Sequence, residues 1–196
     1  MPDSERSARS TLATWWQSYP HDYVVPSDED WASVPLELEA FSESSKFASW
    51  VNDSGVSTPG RDVNCADCAR AVEVSWRGAP QVSAARSPER EGECLPQIER
   101  WLRTEVDEHT FETIRKHLEE IGHGASAYIV VYWNGGGAHA FNAVNRHGTV
   151  YWVDAQDGPL VTPWPPRRFA YPLGGYDETD VDRAFAALRS VDGSSI

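Results

Sequence analysis

Three strand-like segments follow one another in the second half of the chain, and they constrain the fold more than any other feature. Residues 127–133 (AYIVVYW) form an apolar run rich in β-branched and aromatic side chains, and residues 139–145 (HAFNAVN) and 149–154 (TVYWVD) alternate apolar and polar positions. The Arg-His-Gly sequence at 146–148 predicts a hairpin turn between the last two. We therefore expect three adjacent antiparallel strands.

Helical patterns precede these strands. Residues 63–77 form the clearest one, with Asn64 as a capping residue and Gly78 at the end. Two further helices are predicted at residues 95–103 and 110–121. A Pro- and Gly-rich stretch at 162–180 predicts a loop or edge, and a closing helix is expected at 181–191. Helices first and a strand meander afterwards indicate an α+β fold.

The first part of the chain differs in composition from the rest. Residues 1–54 are rich in Ser, Asp, Glu and Pro. They also carry the aromatic side chains Trp15, Trp16, Tyr19, Tyr23, Trp31, Phe41, Phe47 and Trp50. We expect a partly ordered N-terminal arm, part of which packs on a domain formed by residues 55–196.

Length and charge exclude several classes of protein. A chain of 196 residues is expected to form one hydrophobic core. Its net charge of -13 would repel a phosphate backbone, which excludes nucleic acid as a ligand and favours cationic protein partners. No window approaches the ~18 apolar residues of a membrane span. Residues 1–16 lack the features of a signal peptide, so we expect synthesis in the cytoplasm.

Two of the three cysteines fall at the start of the 63–77 helix. The odd number of thiols, Cys65, Cys68 and Cys94, argues against a disulfide framework. A helix start stabilises a thiolate through its unpaired amides and the positive end of the helix dipole, and the same amides can hold an oxyanion. Cys65 and Cys68 are therefore candidate nucleophiles.

A histidine and an aspartate flank the second and third predicted strands. His139 stands at the start of a strand directly after the glycine run at 134–138 (NGGGA), and Asp154 ends the next strand. Adjacent antiparallel strands would place the two side chains next to each other. A carboxylate there could hold the imidazole in the tautomer that accepts a thiol proton. The pattern predicts nucleophilic catalysis by Cys, His and Asp.

Three separated motifs in residues 63–158 carry a resemblance to a known family. They are Asn-Cys-Ala-Asp-Cys at the helix start, Gly-Gly-Ala-His-Ala-Phe-Asn-Ala-Val-Asn on one strand, and Asp-Ala-Gln-Asp-Gly where the next strand ends. In this order they resemble the papain-fold glutamine deamidase toxin domain of bacterial polymorphic toxin systems. The resemblance implies a papain-like α+β fold in which the helix carrying the nucleophile packs on an antiparallel sheet.

The resemblance also implies roles for individual residues. Cys65 or Cys68 would be the nucleophile, His139 the base and Asp154 the orienting carboxylate. Cys65 is preferred, because Asn64 would cap the helix and fix the thiol at its first position, although Cys68 remains an alternative. Asn64 and Gln156 are further candidates for oxyanion or substrate contacts. No metal or cofactor is required.

The implied activity is deamidation of glutamine side chains in a target protein, as a bacterial toxin or effector. A cognate immunity protein would then be a second partner. Export by a dedicated secretion system and action in the cytoplasm of a target cell are the corresponding expectations.

Other interpretations of the same residues differ in their chemistry. A papain-like peptidase would use the same acyl-enzyme steps, and a catalytically inactive protein-binding module would keep the fold without the chemistry. A zinc site would need two ligands beyond the Cys-x-x-Cys pair, but Cys94 stands alone and the histidines are scattered. A redox Cys-x-x-Cys motif would need a preceding parallel strand, and none is predicted before Val63.

Overall fold

The computed structural model describes residues 24–87, 92–156, 160–163 and 178–196. Part of the predicted arm, including Trp15, Trp16, Tyr19 and Tyr23, lies outside these ranges, as does most of the loop predicted at 162–180. Within them, no helix is both long and apolar enough to cross a membrane.

Six strands in the described residues form one antiparallel sheet in the order β1-β6-β2-β3-β4-β5. The predicted meander is confirmed as β2 (Ser126–Trp133), β3 (Ala138–Arg146) and β4 (Thr149–Asp154). The other strands are β1 (Asp107–Glu108), β5 (Leu160–Pro163) and β6 (Val181–Arg189). His147 and Gly148 join β3 to β4 with φ of 52° and 84°, the positive values that a tight two-residue hairpin turn requires.

Four α-helices surround this sheet in the described residues. They are α1 (Ser44–Val51), α2 (Cys65–Trp76), α3 (Leu95–Leu102) and α4 (Phe111–Ile121), with short 3-10 helices at Asp30–Ser33 and Glu178–Asp180. The helices predicted at 63–77, 95–103 and 110–121 correspond to α2, α3 and α4. Thr110 caps α4, because its hydroxyl accepts a hydrogen bond from the Thr113 N–H at 3.1 Å.

Alternating side chains of the strands build a core on each face of the sheet. On one face, Ile129 and Val131 of β2 pack with Leu118 of α4. On the other face, Tyr128 and Val130 pack with the first turns of α2. The sheet is therefore covered on both sides, and α2 lies against the face opposite α4.

The closing helix predicted at 181–191 is wrong, because this segment is strand β6. Alanine and arginine favour a helix in isolation, which is why the segment suggested one. In the folded chain, β6 pairs along its length with β2 and alternates between the two cores: Ala186 and Leu188 face one, Phe185 and Ala187 the other. Pairing and burial thus override the local propensity.

Residues that precede the predicted domain contribute to its core. Phe47 and Val51 of α1 are fully buried and share one apolar cluster with Val72 and Trp76 of α2. Part of the predicted arm is therefore packed against α2. The boundary between arm and domain at residue 54 stays a prediction.

A buried group of charges fixes the segment that follows α2. Asp67 on α2 forms ion pairs with Arg70, one turn further along, and with Arg86. Glu93 forms ion pairs with the same two arginines. All four side chains are nearly inaccessible to water, so each buried charge has an opposite charge as a partner. The network ties the segments around residues 86 and 93 to the first turn of α2.

Candidate functional site

Helix α2 places Cys65 at its first position. The side chain of Cys65 is half-buried and contacts the cluster in which Ala66 and Ala69 pack on Tyr128 of β2. The first amides of a helix have no acceptor within it, so this sulfur lies next to free hydrogen-bond donors. Cys65 therefore combines access from the surface with the electrostatics of a helix start.

Asn64 occupies the capping position of α2, as predicted, but the predicted capping role of its side chain is wrong. The Asn64 amide group instead donates to Asn52 Oδ1 at 2.8 Å, to Ser83 Oγ at 3.1 Å and to the Ala84 carbonyl at 2.9 Å. These partners come from segments on either side of α2. The side chain of Asn64 thus anchors the start of the helix to its surroundings.

The structure brings His139 and Asp154 together. His139 Nε2 lies 2.7 Å from Asp154 Oδ2, and both side chains are buried. Asn142 of β3 pairs with Val153 of β4, so His139 and Asp154 are diagonal neighbours at the end of this strand pair. The His139 ring is stacked between the rings of Trp133 and Phe141, with centroids 6.4 and 5.9 Å away. Packing and the hydrogen bond together fix the orientation of the imidazole.

The surroundings of His139 favour its protonated form. Burial alone lowers the pKa of His139, but the charge of Asp154 and its hydrogen bond oppose this effect. The neighbouring Cys65 side chain acts in the same direction as Asp154, and the pKa of His139 rises to about 10. His139 is therefore hydrogen-bonded to Asp154 and lies near Cys65.

Cys68 has a different environment from Cys65. Its side chain is buried, and its Sγ lies 3.5 Å from Asn64 Oδ1 and 3.4 Å from Ser83 Oγ. Burial raises the pKa of the Cys68 thiol well above its usual range, and although the hydrogen bond with Ser83 opposes this, the nearby negative charges add to it. A buried thiol of this kind behaves as a small apolar side chain.

Gln156 connects the two sides of the site. Its backbone N–H donates to Asp154 Oδ1 at 3.2 Å, and its side-chain Nε2 donates to Asn64 Oδ1 at 3.4 Å. Gln156 is 1% exposed, so these contacts are made in the interior. The predicted candidate Gln156 is thus next to both Asp154 and the start of α2.

A group of buried polar residues next to these side chains was not predicted from the sequence. Asn52, Arg61 and Ser83 are buried and hydrogen-bond to one another, and Asn52 and Ser83 also accept hydrogen bonds from Asn64. Asn52 lies at the end of α1, in the predicted arm, where a polar residue is unremarkable. A single sequence carries no signal that would separate it from the many other polar residues of that arm.

Metal ligands were not expected from the sequence. In the ranges that the structure describes, no three or more His, Cys, Asp or Glu side chains are grouped so that they could hold a metal ion.

A helix that begins at a cysteine and packs on an antiparallel sheet, with histidine and aspartate on adjacent strands, defines the class: this is the papain-like α+β fold. Residues 63–159 match the family model described as papain fold toxin 1, glutamine deamidase, and this segment of the chain belongs to that family of toxin enzymes. The matched segment contains Cys65, Cys68, His139, Asp154 and Gln156. Comparison of the chain with curated proteins and with solved structures gave no match.

Proposed function

We propose that this chain is a cysteine-dependent deamidase that converts glutamine side chains of a target protein to glutamate. The main support is the position of His139, which is hydrogen-bonded to the Asp154 carboxylate at 2.7 Å and lies near the Cys65 side chain at the start of α2. This arrangement matches the needs of nucleophilic catalysis, in which a base activates the nucleophile and a third group orients the base.

In the first half of the reaction, the Cys65 thiolate attacks the carboxamide carbon of glutamine. Asp154 is hydrogen-bonded to Nε2 of His139, so Nδ1 is the ring nitrogen that takes the proton from the thiol and gives it to the leaving group. His139 takes the thiol proton and passes it to the amide nitrogen as the C–N bond breaks, so ammonia leaves and a thioester remains. The buried carboxylate stabilises the imidazolium throughout these steps.

In the second half, water attacks the thioester carbon. His139 accepts a proton from the water, the C–S bond breaks, and Cys65 leaves as a thiolate. The product is glutamate, which adds one negative charge to the target. No cofactor enters either half of the cycle.

Backbone amides at the start of α2 are the proposed donors to the oxyanion of the tetrahedral intermediate. The side-chain amide of Asn64 is directed into the protein, toward Asn52, Ser83 and the Ala84 carbonyl. This favours the backbone of the helix over the Asn64 side chain for that role. Gln156 contacts both Asp154 and Asn64, and its proposed role is to keep the end of β4 next to the start of α2.

The choice of Cys65 over Cys68 rests on access and charge. Cys65 is half-buried and lies near His139, whereas Cys68 is buried and its thiol pKa is raised by that burial. A nucleophile must reach its substrate and ionise near neutral pH. Cys65 is accessible at the start of α2, whereas Cys68 is enclosed and its thiol is less readily ionised.

The proposed partners follow from the family and the charge. A net charge of -13 favours a target protein, or a cognate immunity protein, that offers a basic face to the site. Delivery into a target cell by a dedicated secretion system is proposed as the route by which the toxin meets its target.

The proposed function is tested by incubating candidate target proteins with the enzyme and measuring ammonia and intact mass. Deamidation predicts release of ammonia and a gain of about 1 Da at a glutamine, with the chain uncut. A peptidase would shorten the substrate instead. Candidate targets that show cleaved chains and no gain in mass at glutamine would replace the deamidase by a peptidase.

Alkylation of Cys65 tests whether the site is chemically active. A cationic imidazole next to the sulfur favours the thiolate, so we expect iodoacetamide to modify Cys65 at pH 6 at least about tenfold faster than it modifies free cysteine. Peptide mapping by mass spectrometry identifies the modified residue, and exposed Cys94 serves as the internal reference. Equal rates at Cys65 and Cys94 would favour a catalytically inactive binding module.

A further inference from the structure

Asn52 is buried, with 5% of its surface exposed, and both polar atoms of its side chain are hydrogen-bonded. Its Nδ2 donates to the Gln156 carbonyl at 2.7 Å and to the Arg61 carbonyl at 3.0 Å. Its Oδ1 accepts from Asn64 Nδ2 at 2.8 Å, from Arg61 Nη1 at 3.0 Å and from Ser83 Oγ at 3.1 Å. Such a saturated buried amide holds its partners in one arrangement.

Two of these partners belong to opposite sides of the site. Asn64 directly precedes Cys65 at the start of α2, and Gln156 follows β4, where its N–H binds Asp154 Oδ1. The side chain of Asn52 therefore connects the residue that follows the Asp154 strand with the residue that precedes the Cys65 helix. A shift of either side relative to the other would break a hydrogen bond of Asn52.

Asn52 is in turn held by a charged residue from the same part of the chain. Arg61 donates to Asn52 Oδ1 and forms an ion pair with Asp30, whose other carboxylate oxygen accepts hydrogen bonds from the N–H and hydroxyl of Ser27. The side chain of Arg61 is 4% exposed, so this ion pair is largely shielded from water. Asp30, Asn52 and Arg61 all precede residue 63, where the family match begins.

We infer that Asn52, held by Arg61 and Asp30, is a positioning residue that sets the distance between Cys65 and the His139–Asp154 pair. The inference rests on the proposed roles of these three residues. The segment before residue 63 thus supplies part of the catalytic geometry, and the matched segment alone lacks this link. The link acts through Asn64 on the nucleophile and through Gln156 on the carboxylate.

Asn52→Ala in the full chain tests this link with two measurements that need no target protein. The first is the downfield proton NMR resonance of the His139 Nε2–H that is hydrogen-bonded to Asp154. The second is the rate of Cys65 alkylation by iodoacetamide at pH 6. We expect the resonance to shift upfield or disappear, and the alkylation rate to fall about tenfold, because the two sides lose their common support.

Asn145→Ala is the matched control. Asn145 is a fully buried amide on the same strand as His139, but at its other end, where it donates to the Leu118 carbonyl at 2.7 Å and accepts from the Gly148 N–H at 2.9 Å. We expect Asn145→Ala to lower the melting temperature while the His139 resonance and the Cys65 rate stay at their wild-type values. A general loss of stability would affect both variants alike.

Arg61→Lys is a milder variant that keeps the charge but not the fork that reaches both Asn52 and Asp30. It should change both readouts in the same direction by a smaller factor. The inference is overturned if either readout of Asn52→Ala equals that of the wild type. The His139 Nε2–H is bonded to Asp154 and its resonance needs no substrate, so it remains informative even if the wild-type protein deamidates nothing, an outcome that would contradict only the proposed function.

Discussion

Replacing Cys65 by alanine should lower the deamidation rate by at least about ten-thousandfold, because no other group in the proposed site can form the thioester. The melting temperature should change little, since the lost sulfur is half-buried at a helix start. The rate is measured as ammonia release, and the product as the gain of about 1 Da at glutamine.

Cys68→Ala is the matched control for this prediction. Cys68 lies on the same helix and contacts Asn64 and Ser83, so its replacement should lower stability slightly but leave the rate within a few-fold of the wild type. The opposite pattern, with Cys65→Ala active and Cys68→Ala inactive, would move the nucleophile to Cys68. Cys94→Ala, at an exposed position, should change neither quantity.

Replacing Asp154 by alanine should lower the deamidation rate by about a thousandfold without changing the thiol content. The variant loses the hydrogen bond that orients His139 and the charge that stabilises its protonated form. Asp154→Asn keeps a hydrogen-bond acceptor but not the charge, so its loss of rate should be smaller. An unchanged rate in Asp154→Ala would remove this residue from the site.

Stability gives a second measurement on the same variant. In the folded protein the pKa of His139 is raised to about 10, above the ordinary value of 6.5 in the unfolded chain. The protonation of His139 therefore stabilises the folded state in full below about pH 6.5, and this stabilisation is lost as the pH rises toward 10. Denaturant titrations should show that the free energy of unfolding differs most between wild type and Asp154→Ala near pH 6.5 and differs less near pH 10.

Much of the site could be predicted from sequence because its residues fall on strong local patterns. Strands β2, β3 and β4 have clear alternation and a two-residue turn, and this fixes His139 and Asp154 at one end of the same strand pair. The cysteines fall at a helix start that carries ordinary start and stop signals. Local pattern and tertiary position agree at all these points.

The other parts depend on long-range contacts that leave no local signal. β6 has the composition of a helix, and only its pairing with β2 makes it a strand. Asn52 is one of many polar residues in its segment, and only its hydrogen bonds with residues distant in sequence, such as Gln156, distinguish it from the others. The Asn64 side chain has the chemistry of a capping group, yet its Oδ1 accepts from Gln156 Nε2 and its NH2 group donates to buried acceptors in other segments, so it does not cap the helix.

The position of β6 has a consequence for the order in which the chain folds. β2 lies between β3 and β6, but β6 is synthesised after β3, β4 and β5. Until then the apolar strand Ser126–Trp133 presents an open edge of unpaired amides and carbonyls, the kind of edge on which nascent chains aggregate. Closure of the sheet therefore comes late in folding, and a chaperone that shields this edge until β6 is available would raise the yield of folded protein.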